Sequence, residues 1–178
     1  MGFPIQVASR YAKSLLNLAQ DKNLVEEFKS DFETYMDVFH QNYDFNLLMH
    51  SPIVKKSKKI AIVNLIFGDK ISEPMLAFFT LIIKKGRENG LDEISTEFLR
   101  QYDLFKNIQK ATVVSASPLS DEARANIQRL VANKTNKSVQ LSERIDENLI
   151  GGFILTINDL QIDNSIQAQL RKIKTSIS

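Results

Sequence analysis

The sequence contains no cysteine and only two histidines in 178 residues. Without cysteine the chain forms no disulfide and no thiolate metal site, which is consistent with a reducing compartment. The separation of His40 and His50 in the sequence is not a spacing typical of metal ligands. A zinc site also needs further clustered ligands. We interpret both as surface or helix-end residues, and we predict that the protein binds no metal and no cofactor.

Long hydrophobic runs and a strong charge of one sign are missing as well. The longest apolar run, residues 75–83, is about half the length that spans a bilayer. Residues 1–12 resemble neither a secretory signal nor a transit peptide, which favours a bacterial protein. The net charge of +2 is too small to indicate nucleic-acid binding. We interpret the basic run at residues 55–59 as the solvated face of a helix.

The residue groups that carry enzyme chemistry are absent too. Gly151 and Gly152 are followed neither by a Lys-Ser/Thr pair nor by a helix, so they do not form a phosphate loop. A bulge or a close backbone approach explains this structural turn better. Ser115 and Ser117 lack the Gly-x-Ser-x-Gly context of a nucleophile, and Asp163 fits a capping role. We predict a protein that is not an enzyme and has no small-molecule ligand.

The chain does have an uneven distribution of aromatic residues. Ten of the 11 Phe and all four Tyr precede Lys106, and only Phe153 follows it. The first part therefore has an aromatic core and the second an aliphatic one. Because such a change of composition is typical of a domain boundary, we predict two domains, residues 1–105 and residues 106–178.

Hydrophobic periodicity in the first part predicts six helices. Ser51 and Pro52 suit the N-cap and first turn of the fourth helix, and Pro74 opens the fifth. Gly86 and Gly90 follow the fifth helix, as expected at a helix end. The connections are short, so neighbouring helices should pack antiparallel in a bundle. The periodic positions are Ala8, Tyr11, Ala12, Leu15, Ala19, Leu24, Phe28, Phe32, Tyr35, Phe39, Ile60, Val63, Phe67, Ile94, Phe98, Tyr102 and Phe105.

The second part alternates between strand and helix patterns. Residues 111–116 predict a strand, and Ser120 suits the N-cap of the following helix. The predicted buried face of that helix comprises Ala123, Ile127, Leu130 and Val131. Residues 139–141 predict a second strand. This alternation is typical of a small α/β domain.

The tail of the chain predicts a hairpin and a final helix. Residues 153–157 and 160–162 are short apolar strands, which the dipeptide Asn158-Asp159 can connect by a turn. Asp163 or Ser165 can cap the last helix. Its apolar positions are Ile166, Leu170, Ile173 and Ile177. The predicted fold class is therefore mainly α, with an N-terminal six-helix bundle followed by a small α/β C-terminal domain.

Residues 145–170 also carry an ordered set of motifs. Asp146 precedes Leu-Ile-Gly-Gly at residues 149–152, and Ile-Asp-Asn-Ser-Ile at residues 162–166 opens a helix that contains Leu170. This order resembles the C-terminal signature of the delta subunits of F-type ATP synthases, called the oligomycin-sensitivity-conferring protein in mitochondria. Each motif alone is common, but the ordered set is specific.

The resemblance covers nearly the whole chain. Residues 7–15 (VASRYAKSL) resemble the first helix of that family, the segment from Ser51 to residue 67 resembles the fourth, and residues 81–94 resemble the end of the fifth. Residues 111–120 resemble the first strand of the second domain. The resemblance implies a non-catalytic stator subunit of the proton-translocating ATP synthase, located at the cytoplasmic face of the bacterial cell membrane as a peripheral protein.

The resemblance also implies the partners of each domain. The helical domain would bind the N-terminal helix of an alpha subunit of the catalytic head, and the C-terminal domain would bind the b subunits of the peripheral stalk. The alpha-subunit helix would lie in a groove between the first and fifth helices. The groove residues predicted in this way are Tyr11, Ser14, Leu18, Ala77, Leu81 and Lys84.

Two alternatives remain open from the residues themselves. The segment 75–83 is apolar almost all round, so it fits a central helix buried in its own bundle as well as a helix that faces a groove. Apart from the resemblance, the chain also fits a helical adaptor or regulatory protein with a small α/β partner-binding domain. A nucleic-acid-binding member of that class would need a basic stripe with interleaved aromatics, whereas the aromatics here have core spacing.

Overall fold

A computed structural model describes residues 3–157 and 160–177, with side chains described up to residue 171. The chain divides into two compact units, Met1–Tyr102 and Asp103–Ser178. The division falls in the last turn of the sixth helix, slightly before the boundary predicted at Phe105. The predicted turn at Asn158-Asp159 and the side chains of Ile173 and Ile177 lie outside the described residues.

Within its described residues, the first unit consists of six α-helices, as the hydrophobic periodicity predicts, and one 3₁₀ turn. The 3₁₀ turn, Glu88–Gly90, leads directly into the sixth helix. The helices are α1 (Ile5–Asp21), α2 (Val25–Gln41), α3 (Tyr43–His50), α4 (Lys56–Phe67), α5 (Glu73–Lys84) and α6 (Leu91–Phe105).

An aromatic cluster fills the centre of this unit. Tyr35 is fully buried, and its ring centroid lies 5.0 Å from that of Phe79. Phe32 and Phe98 bring α2 and α6 together at a centroid distance of 4.6 Å. Tilted pairs of this kind stabilise a core beyond the area that they bury, by about 1 kcal/mol each. The buried rings are those of Phe28, Phe32, Tyr35, Phe39, Phe45, Phe67, Phe79, Phe98 and Tyr102.

The start of the fourth helix differs from the prediction. Ser51 is the C-terminal cap of α3, in an extended conformation, and α4 begins only at Lys56. The cause is Pro52, because a proline disfavours the helical conformation of the residue before it. The Ser-Pro pair therefore ends one helix instead of opening the next.

The basic run at residues 55–59 is also not entirely solvated. Lys59 is only 1% exposed, and its ammonium group donates to the carbonyl oxygen of Met49 at 2.8 Å. It also donates to Glu88 Oε1 at 2.7 Å, which forms an ion pair. A buried charge is tolerated when it is paired and hydrogen-bonded in this way. Lys59 thus connects α3, α4 and the 3₁₀ turn.

The second unit is a four-stranded sheet with two helices, counted over its described residues. β1 (Ile108–Ser115) is followed by α7 (Asp121–Thr135) and β2 (Ser138–Ile145), and β1 and β2 pair in parallel. β3 (Phe153–Ile157) pairs antiparallel with β1 and with β4 (Leu160–Asp163). The strand order is β2-β1-β3-β4, and α8 (Ile166–Ile177) ends the chain. The predicted α/β arrangement is confirmed.

The core of the second unit is aliphatic, as predicted. Val113 of β1 and Leu155 of β3 are almost fully buried against Ile127 and Val131 of α7. Leu130, which we expected on the same face, is 46% exposed. Leu130 lies beside the stripe formed by Ile127 and Val131, and a helix buries only one such stripe against its core.

Both helices of the second unit have the caps that the sequence predicts. The Ser120 hydroxyl accepts from the Ala123 N–H at 3.2 Å, and the Ser165 hydroxyl accepts from the Ala168 N–H at 3.2 Å. Asp163 Oδ1 accepts from the Ser165 N–H at 2.9 Å, which orders the turn before α8. These bonds satisfy amide groups that a helix start leaves free.

Candidate partner-binding groove between α1 and α5

The helix α1 has a buried face and an outward stripe. Its buried face includes Ala8, Ala12 and Ala19, all fully buried, whose small side chains allow close helix packing. Ser14 and Leu18 lie on the outward stripe, and Leu18 is 40% exposed. Tyr11 lies at the edge of this stripe and is half-buried. One side of α1 is therefore available for a partner.

The helix α5 also has two faces, although nearly all its residues are apolar. Its inward face comprises Met75, Phe79, Ile82 and Ile83, each of them fully buried. Ala77, Leu81 and Lys84 share the opposite face and are exposed, with Leu81 at 49%. Of the two alternatives left open by the sequence, the structure therefore shows a helix with an outward face, not one that is buried all round.

Tyr11 links the outward stripes of the two helices. Its ring centroid lies 6.5 Å from that of Phe78 on α5. Its hydroxyl accepts a hydrogen bond of 2.5 Å from Arg87, just beyond α5, and the guanidinium carbon lies 5.7 Å from the ring centroid. A cation near an aromatic face adds electrostatic attraction. The two predicted stripes are thus on neighbouring helices, with Tyr11 held between them.

A small cleft of about 290 Å³ opens beside Tyr11, with Val7, Arg10, Ser14 and Arg87 around it. Arg87 and Phe78 were not among the predicted groove residues. Phe78 could have been found from spacing, because a residue three positions before Leu81 shares its helix face. Arg87 gives no such signal, since it follows the end of α5 and its contact depends on the fold.

Comparison with known proteins identifies the family. The pattern of the family described as "ATP synthase delta (OSCP) subunit" matches residues 7–177. The chain belongs to this family. It is 39% identical to the ATP synthase subunit delta of Cytophaga hutchinsonii, over 97% of this chain and 94% of that protein. It is 34% identical to the ATP synthase subunit delta of Amoebophilus asiaticus, over 98% and 95% of the two chains.

Membership in the delta (OSCP) family settles the choice between the two functional interpretations. The chain is a non-catalytic stator subunit of an ATP synthase, and not a helical adaptor of another system. A chain in the mitochondrial ATP synthase hexamer of Toxoplasma gondii has the same fold, with a TM-score of 0.69. That chain is 19% identical, and the match covers 96% of each of the two chains. The described helices include none long and apolar enough to cross a membrane.

The glycine pair of the family signature lies at the entrance to β3. Gly152 has a φ of 81°, a conformation that side chains other than glycine rarely adopt. A Cβ on Gly152 would lie 2.4 Å from the Asn164 carbonyl oxygen and 2.9 Å from Ser165 Cα. The Gly151 carbonyl accepts from the Ile166 N–H at 3.0 Å. The pair therefore lets the start of β3 approach the backbone at the start of α8.

The ionisable groups near α1 have shifted pKa values with separate causes. Glu97 on α6 accepts two bonds from Arg100, at 2.8 and 2.7 Å, and one from Gln101 at 2.9 Å. The bonds from Arg100 are the main reason that its pKa falls to about 2. Burial, and then a hydrogen bond with Asp92, raise the pKa of Glu93 to about 7. Glu97 thus carries a charge at neutral pH that Arg100 already compensates.

Proposed function

We propose that the outward stripes of α1 and α5 bind the N-terminal helix of an alpha subunit in the catalytic head. The residues proposed to contact it are Tyr11, Ser14, Leu18, Ala77, Leu81 and Lys84. The observation that carries this proposal is the exposed face of α5. Leu81 is 49% exposed on a helix whose other face is fully buried, and the ring of Phe78 on the same helix lies 6.5 Å from that of Tyr11 on α1.

The chemistry of this groove suits an amphipathic helix. Such a helix places its apolar stripe into an apolar groove, with contacts repeated at each turn. Leu18 and Leu81 offer apolar contacts, while Lys84 and Arg87 lie where charged side chains stay in water. Because the affinity of such a groove comes mainly from buried apolar area, its contacts should persist at high salt.

We also propose that the second unit binds the b subunits of the peripheral stalk. Several of its large apolar side chains are exposed, namely one before the glycine pair, one at the start of β4 and one on α8. Ile150 is 73% exposed, Leu160 57% and Leu170 58%. Large apolar side chains that stay exposed after folding are candidate contacts for another protein. With one unit on the head and the other on the stalk, the chain would resist the rotor torque at the cytoplasmic face of the bacterial membrane.

A binding measurement on the full chain tests the groove. The probe is a synthetic peptide that matches the N-terminal segment of the alpha subunit from the same ATP synthase. Leu81→Asp should weaken its binding by about 2 kcal/mol or more, because the complex would bury a carboxylate without a partner. The free protein should tolerate this change, since Leu81 is already half in water.

Leu65→Asp is the matched control for this measurement. Leu65 lies on α4, is 86% exposed and is not part of the groove. The Leu65→Asp variant should bind the peptide with unchanged affinity, and far-UV circular dichroism should show that both variants are folded. If folded Leu81→Asp protein binds the peptide as the parent does, the groove lies elsewhere. A pull-down of the full chain from native membranes should, in addition, recover both head and stalk subunits.

A further inference from the structure

A second cleft lies on the other side of α1, where this helix meets α6. It has a volume of about 630 Å³ and is lined by Arg10 and Lys13 from α1 and by Glu97 and Arg100 from α6. The first turn of α1 adds Ile5, whose side chain is 71% exposed. This cleft contains none of the proposed groove residues, although it shares Arg10 with the small cleft beside Tyr11.

The charges in this cleft are unbalanced. Of its four ionisable side chains, three are cationic and only Glu97 is anionic. Glu97 is already occupied by hydrogen bonds from Arg100 and Gln101. Among the residues that the structure describes, neither Arg10 nor Lys13 forms an ion pair, and both are exposed. The cleft therefore presents an uncompensated positive charge.

The shape and lining of the cleft favour a polypeptide as its occupant. Arg10 and Lys13 are three positions apart on one helix face, and Arg100 lies across the cleft from them. Their separation suits a chain with several carboxylates better than a single small anion. The wall formed by Ile5 adds an apolar contact. The lining contains no aromatic side chain, which a single-stranded nucleic acid would need for stacking.

Arg10 connects this cleft to the groove. It lines the cleft with Lys13 and Arg100, and it also lines the small cavity beside Tyr11 and Arg87. A polypeptide that leaves the groove over Arg10 can therefore continue directly into the cleft. We infer that the cleft between α1 and α6 binds an acidic stretch of the same partner polypeptide whose helix occupies the groove.

This inference rests on the proposed function, because it extends the same partner across α1. It adds a salt-sensitive contact to an interface whose groove contacts are apolar. Charged contacts at the rim of an interface act mainly through the association rate and weaken as salt rises. The two parts of the interface can therefore be measured separately.

The experiment compares two peptides on the full chain. The first is the native N-terminal segment of the alpha subunit, and the second has every Asp and Glu replaced by Asn and Gln. Affinities are measured at about 50 mM and about 500 mM NaCl, across which the range of electrostatic interactions shrinks severalfold. The native peptide should bind more tightly at low salt, whereas the neutral peptide should show little salt dependence.

Lys13→Glu is the diagnostic variant, since Lys13 lines the cleft but not the groove. This variant should bind the native peptide about fivefold more weakly at low salt, and its affinity for the neutral peptide should be unchanged. Lys58→Glu, on the exposed side of α4, is the matched control and should change neither affinity. If Lys13→Glu leaves the affinity for the native peptide unchanged, the inference is wrong, although the proposed groove is not contradicted. The same holds if the N-terminal segment of the alpha subunit carries no carboxylate. Failure of both peptides to bind would overturn the proposed function and this inference together.

Discussion

Glu93 and Glu97 lie one helical turn apart on α6, and their surroundings shift their pKa values in opposite directions. Glu93 Oε2 and Asp92 Oδ1 are buried, and no amide, hydroxyl or cationic group among the described residues donates to either of them. The hydroxyl of Tyr35 is buried and unpartnered there too, and its pKa is raised by burial and then by the charges of Asp92 and Glu93. The carboxylate of Glu93 is therefore poorly stabilised, whereas Arg100 stabilises that of Glu97.

Glu93 should reduce stability as the pH rises. Its folded pKa of about 7 exceeds its ordinary value of 4.5, so the folded state binds the proton more tightly than the unfolded state does. The contribution of the Glu93 side chain to folding stability is fully present below pH 4.5 and is lost as the pH rises to about 7. Glu93→Gln should therefore be more stable than the parent at about pH 8, by about 1 kcal/mol after allowance for solvent screening. Thermal melts followed by circular dichroism across this range test the prediction.

Glu97→Gln provides the opposite control in the same melts. The pKa of Glu97 is lowered from 4.5 to about 2, so its stabilising effect is present above pH 4.5 and is lost as the pH falls towards 2. The glutamine variant should be less stable than the parent at neutral pH, and the difference should vanish in acid. A Glu93→Gln variant that is destabilised at neutral pH, as Glu97→Gln should be, would contradict the raised pKa of Glu93.

Single residues also show where sequence reasoning reaches its limit. The periodic pattern correctly places Phe32, Phe67 and Phe98 in the core, because apolar residues on one helix stripe are buried together. It does not predict that Lys59 is buried, because its partners, Met49 O and Glu88, come from other elements. The contact of Arg87 with Tyr11 is unpredictable for the same reason.

Among the elements, the junction between β3 and α8 is the most constrained. Gly152→Ala would place a Cβ against the Asn164 carbonyl and would force an alanine into a left-handed conformation. The left-handed conformation alone costs about 1–2 kcal/mol, and the clash adds to this. We expect hydrogen exchange to show lost protection in β1, β3 and β4 while the amides of α2 and α5 keep theirs.

Gln161→Ala is the control for the glycine variant. Gln161 lies on β4 with an exposed side chain, so its replacement should leave protection in the sheet unchanged. Equal protection in Gly152→Ala and Gln161→Ala proteins would show that the backbone near Asn164 can move aside at little cost.

The elements themselves could mostly be predicted, since each depends on short-range signals. Ser120 and Ser165 cap their helices, and residue type and position were sufficient to predict both caps. The start of α4 could not be placed, because Ser51-Pro52 is compatible with a helix start as well as with a helix end. Strand order was also beyond prediction, because pairing of β1 with β2 and β3 depends on contacts distant in sequence.

For the whole molecule, we predict that the helical part folds without the rest. A fragment of residues 1–105 contains the complete aromatic cluster from Phe28 to Phe98, and the first compact unit ends at Tyr102. Since a part with its own core can fold alone, this fragment should show a cooperative thermal transition and the helical content of α1–α6. A gradual melt of the fragment, with a cooperative melt of the full chain, would refute the prediction.

The ordered tail motifs indicated the family of the whole molecule, and the family match then confirmed it. The partner of each unit is a different matter, because a binding surface is recognised only from which side chains stay exposed after packing. The outward position of Leu81 and the exposed leucines of the second unit come from the structure. The groove residues therefore stay a prediction until peptide binding is measured.

The central place of β1 in the sheet has a consequence for the order of folding. β1 pairs with β2 only after the intervening α7, and it then receives β3 from further along the chain, so Ile108 meets Ser138 and Ser115 meets Phe153. Sheets with distant pairings form more slowly than helical bundles, whose contacts are more local. Ribosomal synthesis also delivers the helical unit first. A nascent chain should therefore carry the finished surface that we propose for the catalytic head while the surface proposed for the stalk is still unformed.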